Sequence, residues 1–128
     1  MITEKFIKIA ISFAITAIAL GALGAHSLDS ILSNDQLNSF ETGVRYQLFH
    51  ALALLVLALN AKKFNPHLKK GLTLMSTGIC CFSFSIYLLS LQEAVGISLS
   101  FLGPITPIGG LLLISAWLVL FFSIKKQG

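Results

Sequence analysis

Residues 106–124 read TPIGGLLLISAWLVLFFSI, a run of nineteen residues without a charged side chain. A helix of about 20 apolar residues spans the hydrocarbon core of a bilayer, so this run predicts a transmembrane helix. Three further apolar runs lie upstream, at about residues 6–25, 44–61 and 71–91. At about 1.5 Å per residue, each of the four covers about 27–32 Å, which is enough to cross a membrane.

The composition of the whole chain excludes an ordinary soluble protein. Hydrophobic residues make up 55% of the chain and charged residues only 11%, and the mean hydropathy is +0.87. Soluble domains carry about 25% charged residues, so this chain lacks the polar surface that a soluble domain needs. We therefore predict one all-α domain over residues 1–128, an integral membrane four-helix bundle.

The lysines predict the orientation of the four helices. They flank the apolar runs, and all eight would lie on one side of the membrane: Lys5, Lys8, Lys62, Lys63, Lys69, Lys70, Lys125 and Lys126. The two links on the other side contain acidic residues and no lysine: Asp29, Asp35, Glu41 and Glu93. The positive-inside rule predicts that both termini and the middle link are cytoplasmic. Lysines placed in this way are membrane anchors, so the net charge of +4 does not predict binding to nucleic acid.

The first apolar run has an alternative interpretation as a cleaved signal peptide. Lys5 and Lys8 precede it, and residues 22–25 resemble a cleavage site. The run is longer than a typical signal-peptide core of about 7–15 residues, and cleavage would leave an odd number of spans. We therefore expect it to be a transmembrane helix.

Two sequence patterns predict where helices begin. Ser33 and Gln36 fit a capping box, which predicts that the second helix starts near Asn34, before the membrane. Thr106 as N-cap and Pro107 at the first helical position predict the start of the fourth. The preceding pair, residues 103–104, is Gly-Pro, and we expect it to keep that segment non-helical.

Small and polar side chains predict which helix faces pack together, because lipid gives no hydrophobic drive between helices. The third run carries one stripe of such residues, which we expect to face the bundle interior: Thr73, Ser76, Cys80, Ser83, Tyr87 and Ser90. Ala17, Gly21 and Ala25 form a small-residue face on the first helix. Gly109 and Gly110 would let the start of the fourth helix approach a neighbour closely.

The second run contains the most unusual chemistry of the four. At 100° per residue, Tyr46, Gln47 and His50 share one polar face of this helix. Arg45 falls on the other side, four residues after Glu41, so these two side chains are placed to pair. At the end of the span, Arg45 would also reach the lipid headgroups as an anchor.

His50 has two interpretations, and the sequence leaves both open. It lies about 7–9 Å deeper along the helix than Arg45. An ionisable side chain at that depth indicates a functional site. The alternative is a neutral histidine whose ring bonds to Tyr46, to Gln47 or to a backbone carbonyl.

The sequence contains no pattern that indicates an enzyme. We find no nucleophile–base pair, no cofactor motif and no metal-binding spacing, and we therefore predict a non-enzyme without cofactor or metal. Cys80 and Cys81 are adjacent and point about 100° apart on a helix, so they do not form an ordinary disulfide with each other. We expect both to serve packing.

Several short motifs, taken together and in order, carry a resemblance to a known family. They are residues 21–26 (GALGAH), 46–47 (YQ), 50–54 (HALAL), 82–87 (FSFSIY) and 106–110 (TPIGG), followed by Trp117. The chain resembles the domain-of-unknown-function family 423, small bacterial four-helix membrane proteins, over nearly its whole length. One departure is Phe84, which stands where the family pattern usually has glycine. The resemblance implies a multi-pass protein of a bacterial cytoplasmic (inner) membrane, and it supplies no reaction.

The residues that the resemblance highlights would meet at one level of the membrane. We predict a polar cluster in the outer leaflet, near the start of the fourth helix, formed by His26, Tyr46, Gln47, His50, Tyr87 and Thr106. The free N–H groups at that helix start would add a partial positive charge.

Two functions fit these observations. The first is a structural or interaction bundle that associates with membrane lipids and with other membrane proteins or a second copy. The alternative is a permeation protein for ions or small molecules, acting as an oligomer with the polar cluster around His50. Four thin spans enclose little space, so a permeation pathway would require more than one subunit.

Overall fold

The structure is a computed structural model, and it describes residues 1–126. Over these residues the secondary structure is helical and no β-strand forms, which confirms the predicted all-α class. Within the described range, four helical stretches are long and apolar enough to cross a membrane: Ile2–His26, Asn34–Leu59, Leu68–Val95 and Ser100–Ser123. The first apolar run is thus part of a helix of 25 residues.

The helices are numbered in chain order. They are α1 (Ile2–His26), α2 (Asn34–Leu59), α3 (Leu68–Ile79), α4 (Ser85–Val95) and α5 (Ile105–Ser123). A π-helical segment, Cys80–Phe84, joins α3 to α4, so these two helices form one continuous stretch. Short 3₁₀ turns lie at Ala61–Lys63 and Ser100–Leu102.

The start of α2 agrees with the prediction. The Ser33 hydroxyl accepts a hydrogen bond from the Gln36 backbone N–H at 3.2 Å, and the Gln36 side chain accepts one from the Ser33 N–H at 2.9 Å. This reciprocal pair satisfies two N–H groups that a helix start otherwise leaves free.

The start of α5 corrects the prediction. The helix begins at Ile105 with Pro104 as its N-cap residue, and no side chain caps it. Gly103 and Pro104 lie between the 3₁₀ turn and α5 and outside both, as predicted, although their backbone angles are right-handed. Proline fits the first turn of a helix, and a glycine before it has no Cβ to clash with the proline ring. Thr106 therefore lies inside the helix, where its hydroxyl is free to bond another helix.

The helices pack as two pairs. α1 packs along α2, α3 packs along α5, and α2 contacts the continuous stretch formed by α3 and α4. We call the end that carries the N-terminus, residues 60–67 and residues 124–126 the lysine-rich end, and the opposite end the acidic end. Apolar side chains fill the bundle toward the lysine-rich end, among them Leu54, Leu72, Met75 and Ile79, each at most 1% exposed.

The contact between α3–α4 and α5 depends on Gly109. A Cβ atom added to Gly109 would collide with the Phe82 backbone nitrogen and lie 2.7 Å from the Phe82 Cα. The helix backbones therefore touch at the π segment, as predicted for Gly109. At Gly110 the nearest atom, on the Phe82 ring, would be 3.8 Å away, which is ordinary contact.

The polar stripe on the third span is buried only in part. Ser83, Tyr87 and Ser90 are buried as predicted, whereas Thr73 and Cys80 are exposed. A π turn takes in one more residue than an α turn, so the buried face shifts by one position across Cys80–Phe84. Before the shift the buried positions are apolar: Leu72, Met75 and Ile79. On α1, Ala17 and the unpredicted Gly24 are buried, whereas Ala25 is exposed.

Candidate functional site

Gln47 is the centre of the polar contacts inside the bundle. Its side chain is fully buried, and its carbonyl oxygen accepts a hydrogen bond from the Tyr87 hydroxyl at 2.7 Å. Its amide nitrogen donates to the Phe13 carbonyl at 2.9 Å and to the Thr16 hydroxyl at 2.7 Å. The Thr16 hydroxyl in turn donates to the Ser12 carbonyl at 2.9 Å. One side chain of α2 thus joins α1 and α4 through both ends of its amide group.

A second buried hydrogen bond lies next to this network. The Ser83 hydroxyl donates to the Gly43 carbonyl at 2.8 Å, from the π segment to α2. A Cβ atom on Gly43 would lie 2.7 Å from the Tyr87 ring, so glycine at this position leaves room for the tyrosine. The same ring packs against Phe40 at a centroid distance of 4.9 Å.

His50 belongs to a separate, peripheral group. Its Nδ1 lies 2.8 Å from the Tyr46 carbonyl oxygen, and its Nε2 lies 3.1 Å from the indole N–H of Trp117 on α5. A carbonyl only accepts and an indole N–H only donates, so Nδ1 carries the proton and Nε2 accepts. This pairing fits the neutral imidazole and ties α2 to α5.

Tyr46 and His50 lie at the edge of the bundle. The Tyr46 ring stacks on His50 at a centroid distance of 6.0 Å, contacts Phe82 at 4.6 Å, and is 44% exposed. Trp117 is also exposed, at 46%. These aromatic side chains form a partly exposed face beside the buried Gln47 network.

The remaining predicted cluster residues lie apart from this face. The Thr106 hydroxyl bonds the Ser85 hydroxyl at 2.6 Å, which joins α5 to α4. His26 is exposed at the last position of α1. The predicted cluster therefore divides into the Gln47–Tyr87 network, the His50–Trp117 pair, the Ser85–Thr106 pair and an exposed His26.

The predicted pair of Glu41 and Arg45 does not form. Over residues 1–126, the ion pairs are those of Glu4 with Lys8 and with the N-terminal amine. The Arg45 guanidinium lies 3.4 Å from the Thr42 hydroxyl, one turn earlier on the same helix. Glu41 and Arg45 are both exposed at the acidic end, where each ion is solvated separately at little cost.

Sequence reasoning missed the partners on α1 and α5. Thr16 and the Phe13 carbonyl hold Gln47, and Trp117 holds His50. In the sequence, Trp117 stands out only as one of the motifs that carry the family resemblance. A polar residue in an otherwise apolar run, such as Thr16, is a signal that could have identified a partner for the buried glutamine.

The polar groups of this region are arranged to hold helices together. Within residues 1–126, every buried side-chain nitrogen or oxygen has a hydrogen-bond partner. Over the same residues, no group of three or more histidine, cysteine or acidic side chains could hold a metal ion. The polar contacts described here are hydrogen bonds between helices.

A family model described as protein of unknown function (DUF423) matches residues 20–110. The chain belongs to this family. The matched range includes Gln47, His50 and Tyr87, whereas Thr16 and Trp117 lie outside it. No solved structure matches the chain.

Curated relatives match this chain over almost their full length. The UPF0382 membrane protein YwdK of Bacillus subtilis is 37% identical over 96% of this chain and 98% of its own length. UPF0382 membrane protein SH2409 of Staphylococcus haemolyticus is 34% identical, over 96% and 97%. A UPF0382 membrane protein of Haemophilus influenzae is 33% identical, over 97% and 96%. The chain is thus a multi-pass membrane protein of a family without a described activity.

Proposed function

We propose that this protein is a non-catalytic structural or interaction module of the membrane, which associates with other membrane proteins or with a second copy. Gln47 is the observation that carries the proposal. If the bundle contained a path for a substrate, we would expect Gln47, the buried polar side chain of α2, to face that path. Its amide instead bonds Tyr87, Thr16 and the Phe13 carbonyl, all within the chain.

The packing of the rest of the bundle also supports an interaction role. Apolar side chains such as Leu54 and Met75 fill the interior toward the lysine-rich end. The links between the helices are short, so little of the chain lies outside the membrane region. Contacts with a partner would therefore be made mainly by helix faces within the bilayer.

The proposal includes an orientation. Eight lysines lie at one end of the bundle, and four acidic residues but no lysine lie in or next to the links at the other end. By the positive-inside rule, the lysine-rich end faces the cytoplasm of a bacterial inner membrane, with both termini on that side.

Permeation by an oligomer is the alternative, and one observation favours it. His50 is half-buried within α2, beside the exposed rings of Tyr46 and Trp117. Several copies could meet at this face and enclose a pathway that no single bundle contains. The histidine ring would then be able to exchange a proton with a transported group.

Reconstituted vesicles distinguish the two functions. Purified protein is tested for proton and potassium flux, in parallel with His50→Ala and with the Tyr46→Phe control. We expect no flux above that of empty vesicles from any of the three. His50→Ala should only lower the melting temperature, because Trp117 loses its acceptor. A specific flux in the native protein that His50→Ala abolishes at an unchanged melting temperature would establish permeation instead.

A further inference from the structure

An apolar groove of about 580 Å³ runs between α2 and α5 toward the lysine-rich end of the bundle. It exists because α2 packs mainly on α1 and α5 packs mainly on α3. Its walls are hydrocarbon and aromatic side chains, including Leu57, Phe64, Ile114, Trp117, Phe121 and Ile124. In a bilayer such a groove takes up hydrocarbon.

The end of the groove is bordered by lysines whose backbone is fixed. Phe64 and Ile124 face each other in an antiparallel bridge. The Lys125 N–H donates to the Lys63 carbonyl at 3.0 Å, so the two chain segments lie side by side. Lys62, Lys63 and Lys125 are all exposed there. The Lys125 ammonium also donates to the Lys62 carbonyl at 3.1 Å, which leaves two of its three N–H groups for another acceptor.

The charge at this end of the bundle is strongly positive. Its acidic residue, Glu4, pairs with Lys8 at 2.7 Å. The other four acidic residues of the sequence lie in or next to the links of the opposite end: Asp29, Asp35, Glu41 and Glu93. An anionic group is therefore the complement of the lysines beside the groove.

We propose that the groove binds an anionic phospholipid, with an acyl chain between α2 and α5 and the phosphate held by Lys62, Lys63 and Lys125. The phosphate oxygens accept charge-assisted hydrogen bonds from the ammonium groups. Basic clusters directly beside transmembrane helices recognise anionic headgroups in this way. A second copy inserted in the same direction would place its own lysine-rich end here, and like charges would repel.

Trp117 makes the proposed site measurable. It lines the groove and is the only tryptophan of the chain. It lies six residues before Ser123, which is about 9 Å along the helix from the lysine-rich end. An acyl chain in the groove would therefore pass Trp117 near the middle of its length, where bromine atoms on the chain quench tryptophan fluorescence.

The test uses the full-length protein in phosphatidylcholine vesicles that contain a small fraction of lipid with brominated acyl chains. Brominated phosphatidylglycerol is compared with brominated phosphatidylcholine at the same mole fraction. We expect quenching by the anionic lipid to be at least about twofold stronger, because three lysines near the headgroup favour binding of that lipid. The difference should decrease with added salt, which screens exposed charges.

Two triple variants with the same change in charge show which lysines cause the preference for the anionic lipid. The triple variant Lys62→Gln, Lys63→Gln, Lys125→Gln removes the lysines beside the groove and should lose the preference. The control triple variant Lys5→Gln, Lys69→Gln, Lys70→Gln removes three other exposed lysines of the same end and should keep it. An unchanged Trp117 emission maximum without brominated lipid confirms that each variant is folded.

Three results would overturn the proposal. Equal quenching by both brominated lipids would mean that the groove takes up acyl chains without selecting the headgroup. Equal loss of the preference in both triple variants would mean a general attraction to the basic surface. Absence of quenching by either lipid would mean that a protein chain, such as a second copy, covers the groove.

Discussion

Gln47 shows how a polar residue is stabilised in an apolar bundle. Neither lipid nor the packed interior offers water to a buried amide group, so its hydrogen-bonding atoms must find partners in the protein. Tyr87, Thr16 and the Phe13 carbonyl supply them from two neighbouring helices. Interhelical hydrogen bonds of this kind contribute about 0.6 kcal/mol on average in membrane proteins. Their directionality also fixes the register between α1, α2 and α4.

The two tyrosines of the chain provide a matched test of this network. Tyr87→Phe removes the hydroxyl that donates to Gln47, and we expect it to lower the free energy of unfolding by about 0.5–1.5 kcal/mol. Tyr46→Phe removes a hydroxyl from a 44% exposed ring, and we expect a change close to zero. Reversible unfolding in mixed detergent micelles measures both. Equal effects of the two substitutions would contradict the role given to Gln47.

At the level of residues, the sequence predicted the polar face of α2 but not the partners of each side chain. Tyr46, Gln47 and His50 do lie close together on the helix. Gln47 turns into the bundle, whereas His50 turns toward Trp117 on α5. About 60° separates these two side chains around the helix axis at 100° per residue. Which of them is buried depends on where the neighbouring helices lie, and the periodicity of one helix does not determine that.

The π segment is the element that positions α5. It widens one turn of the third span, and Phe82 in that turn lies directly against Gly109. Backbone atoms in such a contact cannot move aside as a flexible side chain can. The π turn and Gly109 are far apart in the sequence, but the close contact between the third span and α5 requires both of them.

Adjacent glycines on α5 provide a matched test of this contact. Gly109→Ala places a methyl group against the Phe82 backbone, and we expect a loss of about 1–3 kcal/mol in the free energy of unfolding. Gly110→Ala meets nothing closer than 3.8 Å. It should leave stability unchanged or raise it by up to about 1 kcal/mol, because alanine favours a helix over glycine. Detergent unfolding of both variants is the measurement, and a tolerated Gly109→Ala would contradict the close contact.

At the level of elements, the sequence predicted the four spanning helices and the α2 capping box. It also predicted a close approach at Gly109. It did not predict the π turn, because the small and polar residues of this span repeat at ordinary α-helical spacing straight through the π segment. The additional residue of the π turn is why the stripe through Thr73 and Cys80 faces outward. The prediction of the start of α5 was also wrong, because Thr106 does not cap its own helix. Its hydroxyl bonds Ser85 on α4 instead.

The whole molecule is polarised along its length. Its lysines, the N-terminus and residues 124–126 lie at one end, and most of its acidic residues lie at the other. Positively charged segments are retained in the cytoplasm when a membrane protein inserts. This charge pattern depends only on where the lysines lie between spans, so it is evident in the sequence without any knowledge of helix packing.

Cysteine labelling of intact cells tests the orientation. In a background where Cys80 and Cys81 are replaced by alanine, Ser30→Cys places a thiol at the acidic end and His67→Cys places one at the lysine-rich end. Both positions are exposed. We expect a membrane-impermeant maleimide to label Ser30→Cys in intact cells and to label His67→Cys only after the cells are opened. The reverse pattern would contradict the proposed orientation.

The most direct test of the proposed interaction role is native mass spectrometry of the protein after release from its own membrane in mild detergent. A known membrane complex in the same preparation serves as the control for gentle release. We predict that the chain is recovered in a complex of fixed stoichiometry, with another membrane protein or with a second copy. Recovery of the bare monomer alone, while the control complex stays intact, would contradict an interaction role.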